Sequence, residues 1–142
     1  MFWKNVQSEA SENQFMDTNN FTPDDSENNE IHEMVVKTND ITEGDGKEAT
    51  DGDVVRIYFE NLVQGNSNVV GRVNNGHGVT LTLGSKDGTV IEGLEIGIIG
   101  MKVGGTRQII SPPKFAYGDA GILPFIPANA TVISTVTLLE IV

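Results

Sequence analysis

Few residues in this chain could do covalent or metal chemistry, and none is placed to do it. The 142 residues include no cysteine, so thiolate nucleophiles, disulfides and cysteine-ligated zinc are excluded. The two histidines, His32 and His77, lie far apart, and neither has a partner at metal-ligand spacing. No Ser–His–Asp arrangement is recognisable. The acidic stretch TEGDGKEATDGD, residues 42–53, superficially suggests a calcium loop. It lacks the terminal bidentate glutamate and flanking helices of an EF-hand, so it reads as a turn-rich connection around Gly44, Gly46 and Gly52. No metal and no cofactor is expected.

The elements around these residues follow from periodicity. Asp53–Val63 is β-rich, with Val55, Ile57 and Phe59 alternating on one face. Val69-Val70 begins a short second strand, Asn74-Asn75-Gly76 is a turn, and Val79–Leu83 alternates again. The only good helix candidate runs from Thr89 to about Ile99. Thr89 is the expected N-cap, with Glu92 three residues on completing a capping box. Val90, Ile91, Leu94 and Ile98 form the apolar stripe. Gly93 and Gly97 each cost roughly 1 kcal/mol in a helix, and close packing against a sheet would supply the reason for them. Gly104-Gly105 leads into a strand at Thr106–Ser111. A loop from Pro112 to Asn129 follows, then a last strand with Val132, Val136 and Leu138 on one face. Ser134 interrupts that inward row. The order predicts an α+β fold: an antiparallel β-sheet wrapped around a single short α-helix.

Composition divides the chain near residue 34. Residues 1–33 carry eight acidic residues and one lysine, with asparagine and serine filling most of the rest. Such a segment buries too little apolar area to offset its ordering entropy, so a disordered acidic tail is expected at 1–33 and a folded domain at 34–142. The tail's aromatics, Phe2, Trp3, Phe15 and Phe21, offer the alternative of a short partner-binding motif. The net charge is −11, and no basic cluster is present, which argues against nucleic acid and anionic membrane surfaces as partners. The opening MFWKNVQSEA has no signal-peptide core, and no apolar run approaches the ~20 residues of a membrane span. A cytoplasmic monomer is expected.

From about Ile41 to Val142 the chain resembles the FKBP-type peptidyl-prolyl cis–trans isomerases. The resemblance rests on GGTRQIISPPKFAYGDAG, on IPANAT before the last strand, on GDGKEATDGDVVRIYFENL, on LTLG before the helix, and on VIEGLEIGIIGMKVGG. Each piece is weak alone; five in the right order are specific. The resemblance implies rotamase activity on X-Pro bonds of peptides and folding proteins, with no cofactor. It assigns catalytic contacts to the Ile91 backbone N–H and the Tyr117 hydroxyl. Substrate-binding positions are then Phe59, Val69, Val70, Val79, Val90, Leu94, Ile122, Phe125, Ile126 and Ser134.

The chain departs from the family pattern inside the pocket. Leu94 stands where a tryptophan is usual, and Phe59 where a tyrosine is usual. An ungapped register puts Val69-Val70 in place of Phe-Asp. Val79 replaces a phenylalanine, and Ser134 an aromatic. Each lost ring removes about 150–250 Å² of buried surface, which Phe115 and Phe125 are candidates to replace. Proline-containing peptides or proteins are therefore the expected partners, with reduced isomerase activity and weak binding of tacrolimus and rapamycin. The alternative is a non-catalytic FKBP-fold module that binds proteins or acts as a chaperone.

Overall fold

The computed structural model describes residues 35–142; the acidic segment 1–33 lies outside them. Six strands and one short helix follow in order: β1 (Lys37–Thr42), β2 (Val54–Val63), β3 (Val69–Val73), β4 (Val79–Thr82), α1 (Glu92–Ile98), β5 (Thr106–Ser111) and β6 (Val132–Ile141). All pairings are antiparallel. The sheet runs β1-β5-β6-β2-β3, and β4 also pairs with β2.

The two ten-residue strands β2 and β6 form the spine of the sheet. Ile57 stands opposite Leu138, Phe59 opposite Val136 and Asn61 opposite Ser134. Period-two alternation turns Val55 and Ile57 of β2 and Val132, Val136 and Leu138 of β6 into the main core. Leu81, Leu83, Leu94, Ile98, Met101 and Ile109 complete it. A smaller cluster of Val63, Ile126 and Ala130 lies beside Val70 and Tyr117.

Helix α1 packs on β5 and β6, and the two glycines in it are required by closeness. A Cβ on Gly93 would collide with Ser111 Oγ, and one on Gly97 would come within 2.6 Å of Ile109 Cδ1 and Cγ2. The helix is shorter than its apolar stripe predicts. It starts at Glu92 with Ile91 as N-cap and no side-chain cap. The Thr89 hydroxyl, expected to cap it, instead donates to Asp87 Oδ1 at 2.7 Å, as does the Thr89 N–H at 3.0 Å. This local turn competes with capping, as short polar side chains commonly do.

The C-terminal end of α1 is held by β5. Arg107 Nη1 donates to the carbonyls of Gly97 at 2.8 Å and Ile99 at 3.1 Å, while its Nε donates to Asp40 Oδ1 of β1 at 2.6 Å. One side chain thus joins the edge strand, the next strand and the orphan carbonyls of the helix end. The loop before the helix is tied down as well. The buried Glu95 accepts from the backbone N–H groups of Gly84 at 2.9 Å and Lys86 at 3.1 Å.

Candidate functional site

A cleft of about 480 Å³ opens between the start of α1, strands β2 and β3, and the loop after β5. Phe59, Val70, Val90, Ile91, Ala116 and Tyr117 give it apolar walls. Lys86, Gly88 and Thr89 form the rim on the side that Glu95 anchors, and Lys86 Nζ pairs with Glu92 at 3.3 Å. Among the described residues, no backbone carbonyl takes the Ile91 N–H. Tyr117 is half-buried, and burial pushes its phenol above the ordinary value near 10, while the Asn61 side chain acts the other way. Tyr117 is therefore a neutral donor at physiological pH. No group of acidic and histidine side chains able to hold a metal occurs among the described residues.

Of the positions the sequence assigned to the site, Ile91, Tyr117, Phe59, Val70 and Val90 line this cleft. The others lie elsewhere. Val69 is off the lining and exposed, because the β2–β3 register shifts between Asn61 and Leu62. Leu62 pairs with Val69 and Asn61 with Gly71, which leaves Val70 as the bulged residue. The pair on the cleft is thus Val70-Gly71 rather than Val69-Val70, and neither carries a carboxyl group. Leu94 is sealed in the main core with no exposed surface, and Val79 packs against that core opposite Ile57. Ile126 is buried in the smaller cluster, behind Val70 and Tyr117. Ile122 and Phe125 stand out into solvent, Phe125 with 75% of its surface exposed. Ser134 is fully buried beneath the cleft. Neither candidate for refilling the interior does so: Phe125 is outside, and Phe115 lies half-buried under Lys114 Nζ, 5.5 Å from its ring centre.

Sequence reasoning missed Asn61 and Glu95. Asn61 is only 3% exposed, lines the cleft and accepts from Ser134 Oγ at 2.6 Å. Its signal was present in the alternation of β2: the inward row Val55, Ile57, Phe59 continues to residue 61. A polar residue there, and another at Ser134 on β6, interrupt two apolar rows that meet.

The family model for FKBP-type peptidyl-prolyl cis-trans isomerase matches residues 46–139. The chain belongs to this family. The FKBP-type domain is 42% identical over 103 residues to the 46 kDa FK506-binding nuclear protein of Spodoptera frugiperda, covering 72% of this chain and 24% of that protein. It is 34% identical over 102 residues to the FK506-binding protein of Neisseria meningitidis, covering 72% of this chain and 92% of the bacterial one. Among solved structures, AtFKBP13 superposes with a TM-score of 0.65 at 25% identity, over 75% of this chain and 93% of the other. The match thus spans about a quarter of the insect nuclear protein and nearly all of the bacterial one. The FKBP fold is that predicted, an antiparallel sheet with one short helix. No helix among the described residues is long and apolar enough to cross a membrane.

Proposed function

We propose that this FKBP-type domain catalyses cis–trans isomerisation of X-Pro bonds in peptides and folding proteins, at a lower rate than a ring-lined member of the family. The observation that carries this reading is the cleft itself. It places the free Ile91 N–H and the Tyr117 hydroxyl around one apolar space walled by Phe59, Val70 and Val90. Prolyl rotation must cross a barrier near 18–20 kcal/mol set by amide resonance. The reaction needs no nucleophile. An apolar cleft withdraws the water that favours the planar, polar amide, and donors held at its edge stabilise the carbonyls flanking the twisting bond. The lower rate follows from the walls. Phe59 and Tyr117 are the only aromatic rings among the lining residues, and Val70-Gly71 offers no acidic group.

A protease-coupled assay on an Ala-Leu-Pro-Phe peptide tests the reading. Exchange faster than buffer, reduced by Tyr117→Phe, is the expected result. Exchange at the buffer rate from protein shown to be folded would overturn it. The same walls account for an expected weak affinity for tacrolimus and rapamycin, and a nanomolar dissociation constant by calorimetry would contradict the assignment of the cleft.

A second reading, a non-catalytic protein-binding or chaperone-like module, draws on the exposed apolar loop. Ile122, Leu123 and Phe125 each expose about half or more of their surface. Exchange at the buffer rate from folded protein, together with loss of protection of an aggregating client when residues 122, 123 and 125 are made polar, would favour it.

A further inference from the structure

The floor of the cleft carries a polar pair that the fold does not need for packing. Asn61 on β2 and Ser134 on β6 are direct cross-strand partners, both buried, on rows otherwise filled by valine, isoleucine, leucine and Phe59. A buried polar pair costs free energy against an apolar one of the same shape unless all its groups are matched. Here the matching is incomplete in one direction only. Ser134 Oγ donates to Asn61 Oδ1 at 2.6 Å, which uses the hydroxyl proton and fixes which end of the amide faces which way. The –NH2 end is left over. It is not sealed in: Ser111 Oγ is the one buried side-chain polar atom without a partner among the described residues, and Asn61 opens on the cleft. A Cβ added to Gly71 would sit 3.6 Å from Asn61 Nδ2, so the absence of a side chain at residue 71 keeps that nitrogen uncovered. The Asn61 side chain also lowers the phenol pKa of Tyr117 against the effect of burial. With Oδ1 turned to Ser134, the –NH2 end is the one left beside Gly71 at the cleft. The –NH2 group carries two protons, so even with the Tyr117 hydroxyl oxygen taking one, the other is left for a ligand.

We propose that the Asn61 –NH2 group is a substrate-binding donor of this cleft, taking a backbone carbonyl of a bound proline peptide, with Ser134 as the positioning residue that fixes the amide. The inference rests on the isomerase reading of the same cleft and adds a third donor to Ile91 and Tyr117. It also reverses the polarity expected of the floor. Where the family pattern calls for an acidic acceptor, this cleft offers a donor, and so selects a ligand that turns a carbonyl, not an N–H, toward β2.

Titration of the ¹⁵N-labelled full chain with the Ala-Leu-Pro-Phe peptide tests this. The Asn61 side-chain amide signal is assigned by its loss in Asn61→Asp, a substitution of equal shape that removes the donor. One Asn61 –NH2 proton is expected to move downfield and to saturate together with the Ile91 amide. Asn61→Asp is expected to weaken peptide binding by about tenfold, the value of one ordinary hydrogen bond. Ser134→Ala keeps Asn61 but frees its rotation; a smaller loss of affinity and broadening of the Asn61 pair are expected. Should Asn61→Asp not fold, the Asn61 pair is assigned from its through-space contacts to Ser134 and Gly71 protons, and the wild-type titration and Ser134→Ala decide alone. Movement of Ile91 with a stationary Asn61 signal, or wild-type affinity in Ser134→Ala with its Asn61 pair still sharp, overturns the inference and leaves the isomerase reading standing. No movement at Ile91 or elsewhere in the cleft overturns both.

Discussion

Replacing Gly97 with alanine asks whether packing or propensity governs the helix. In an exposed helix the change stabilises by about 1 kcal/mol, because glycine loses more backbone entropy on ordering. In this fold the new methyl would meet three carbons of the fully buried Ile109, at 2.6, 2.6 and 2.8 Å. Optimal carbon–carbon separation is near 3.5–4.0 Å, and overpacking a tight core costs about 1–3 kcal/mol. Ile109 lies in the middle of β5, flanked by β1 and β6, and has little room to withdraw. The upper end of that range less the propensity gain leaves a net loss of about 2 kcal/mol. For a domain of this size that is a fall in melting temperature on the order of 10 °C. Urea melts followed by circular dichroism measure it, with an unchanged m-value confirming that stability alone has moved. The decisive comparison is made in an Ile109→Ala background. There the clash is gone, the cavity is partly filled by the new methyl, and Gly97→Ala is expected to stabilise. A stabilising Gly97→Ala in the wild-type background, or the same cost in both, would refute the close-packing account of the helix.

The other expectations concern single contacts. Arg107→Ala removes donors from two helix-end carbonyls and from Asp40, and a loss of about 2–3 kcal/mol is expected in urea melts; a change under 0.5 kcal/mol would show that water replaces it freely. The hydrogen bond from Arg107 holds the Asp40 carboxyl below its ordinary value of 3.8. A depressed carboxylate stabilises above the unfolded value and loses that contribution as pH falls through the folded one. Asp40→Asn should therefore flatten the stability–pH curve below about pH 4, and an unaltered curve counts against the pairing. Tyr117 has the opposite sign. Its raised phenol pKa gives a contribution present below the unfolded value near 10 and lost as pH rises through the folded one. Tyr117→Phe should remove an alkaline fall in stability that sets in at about pH 10 and continues above it; persistence of that fall would place its source elsewhere. Ser111→Ala deletes the unpartnered buried hydroxyl, so a gain of about 1 kcal/mol is expected, and a loss of that size would reveal a hidden partner.

What the sequence made legible was mostly backbone. Alternation located β2, β4 and β6, a short apolar run and a Gly-Gly turn placed β3 and β5, and the family motifs marked the helix start and Tyr117, because turns and strand periods are written locally. The walls of the cleft were not local. Val69 and Val70 face opposite ways as neighbours in any strand do, and which of them meets the cleft depends on the register shift beside Asn61, which the run NVVGRV does not reveal. Leu94 was assigned to the pocket because of the residue usual there; in this chain a smaller side chain at that position is taken into the core. Thr89 had the right spacing for a cap but a nearer acceptor in Asp87.

Asn61 and Ser134 are the instructive pair. Each was visible as a polar interruption of an inward row, and each alone has the uninformative explanation of a buried group satisfied by backbone. Their meaning depends on the β2–β6 register, which sets them opposite one another across the middle of the sheet. Once paired, one hydroxyl proton accounts for one amide oxygen and leaves an amide nitrogen over at the cleft floor.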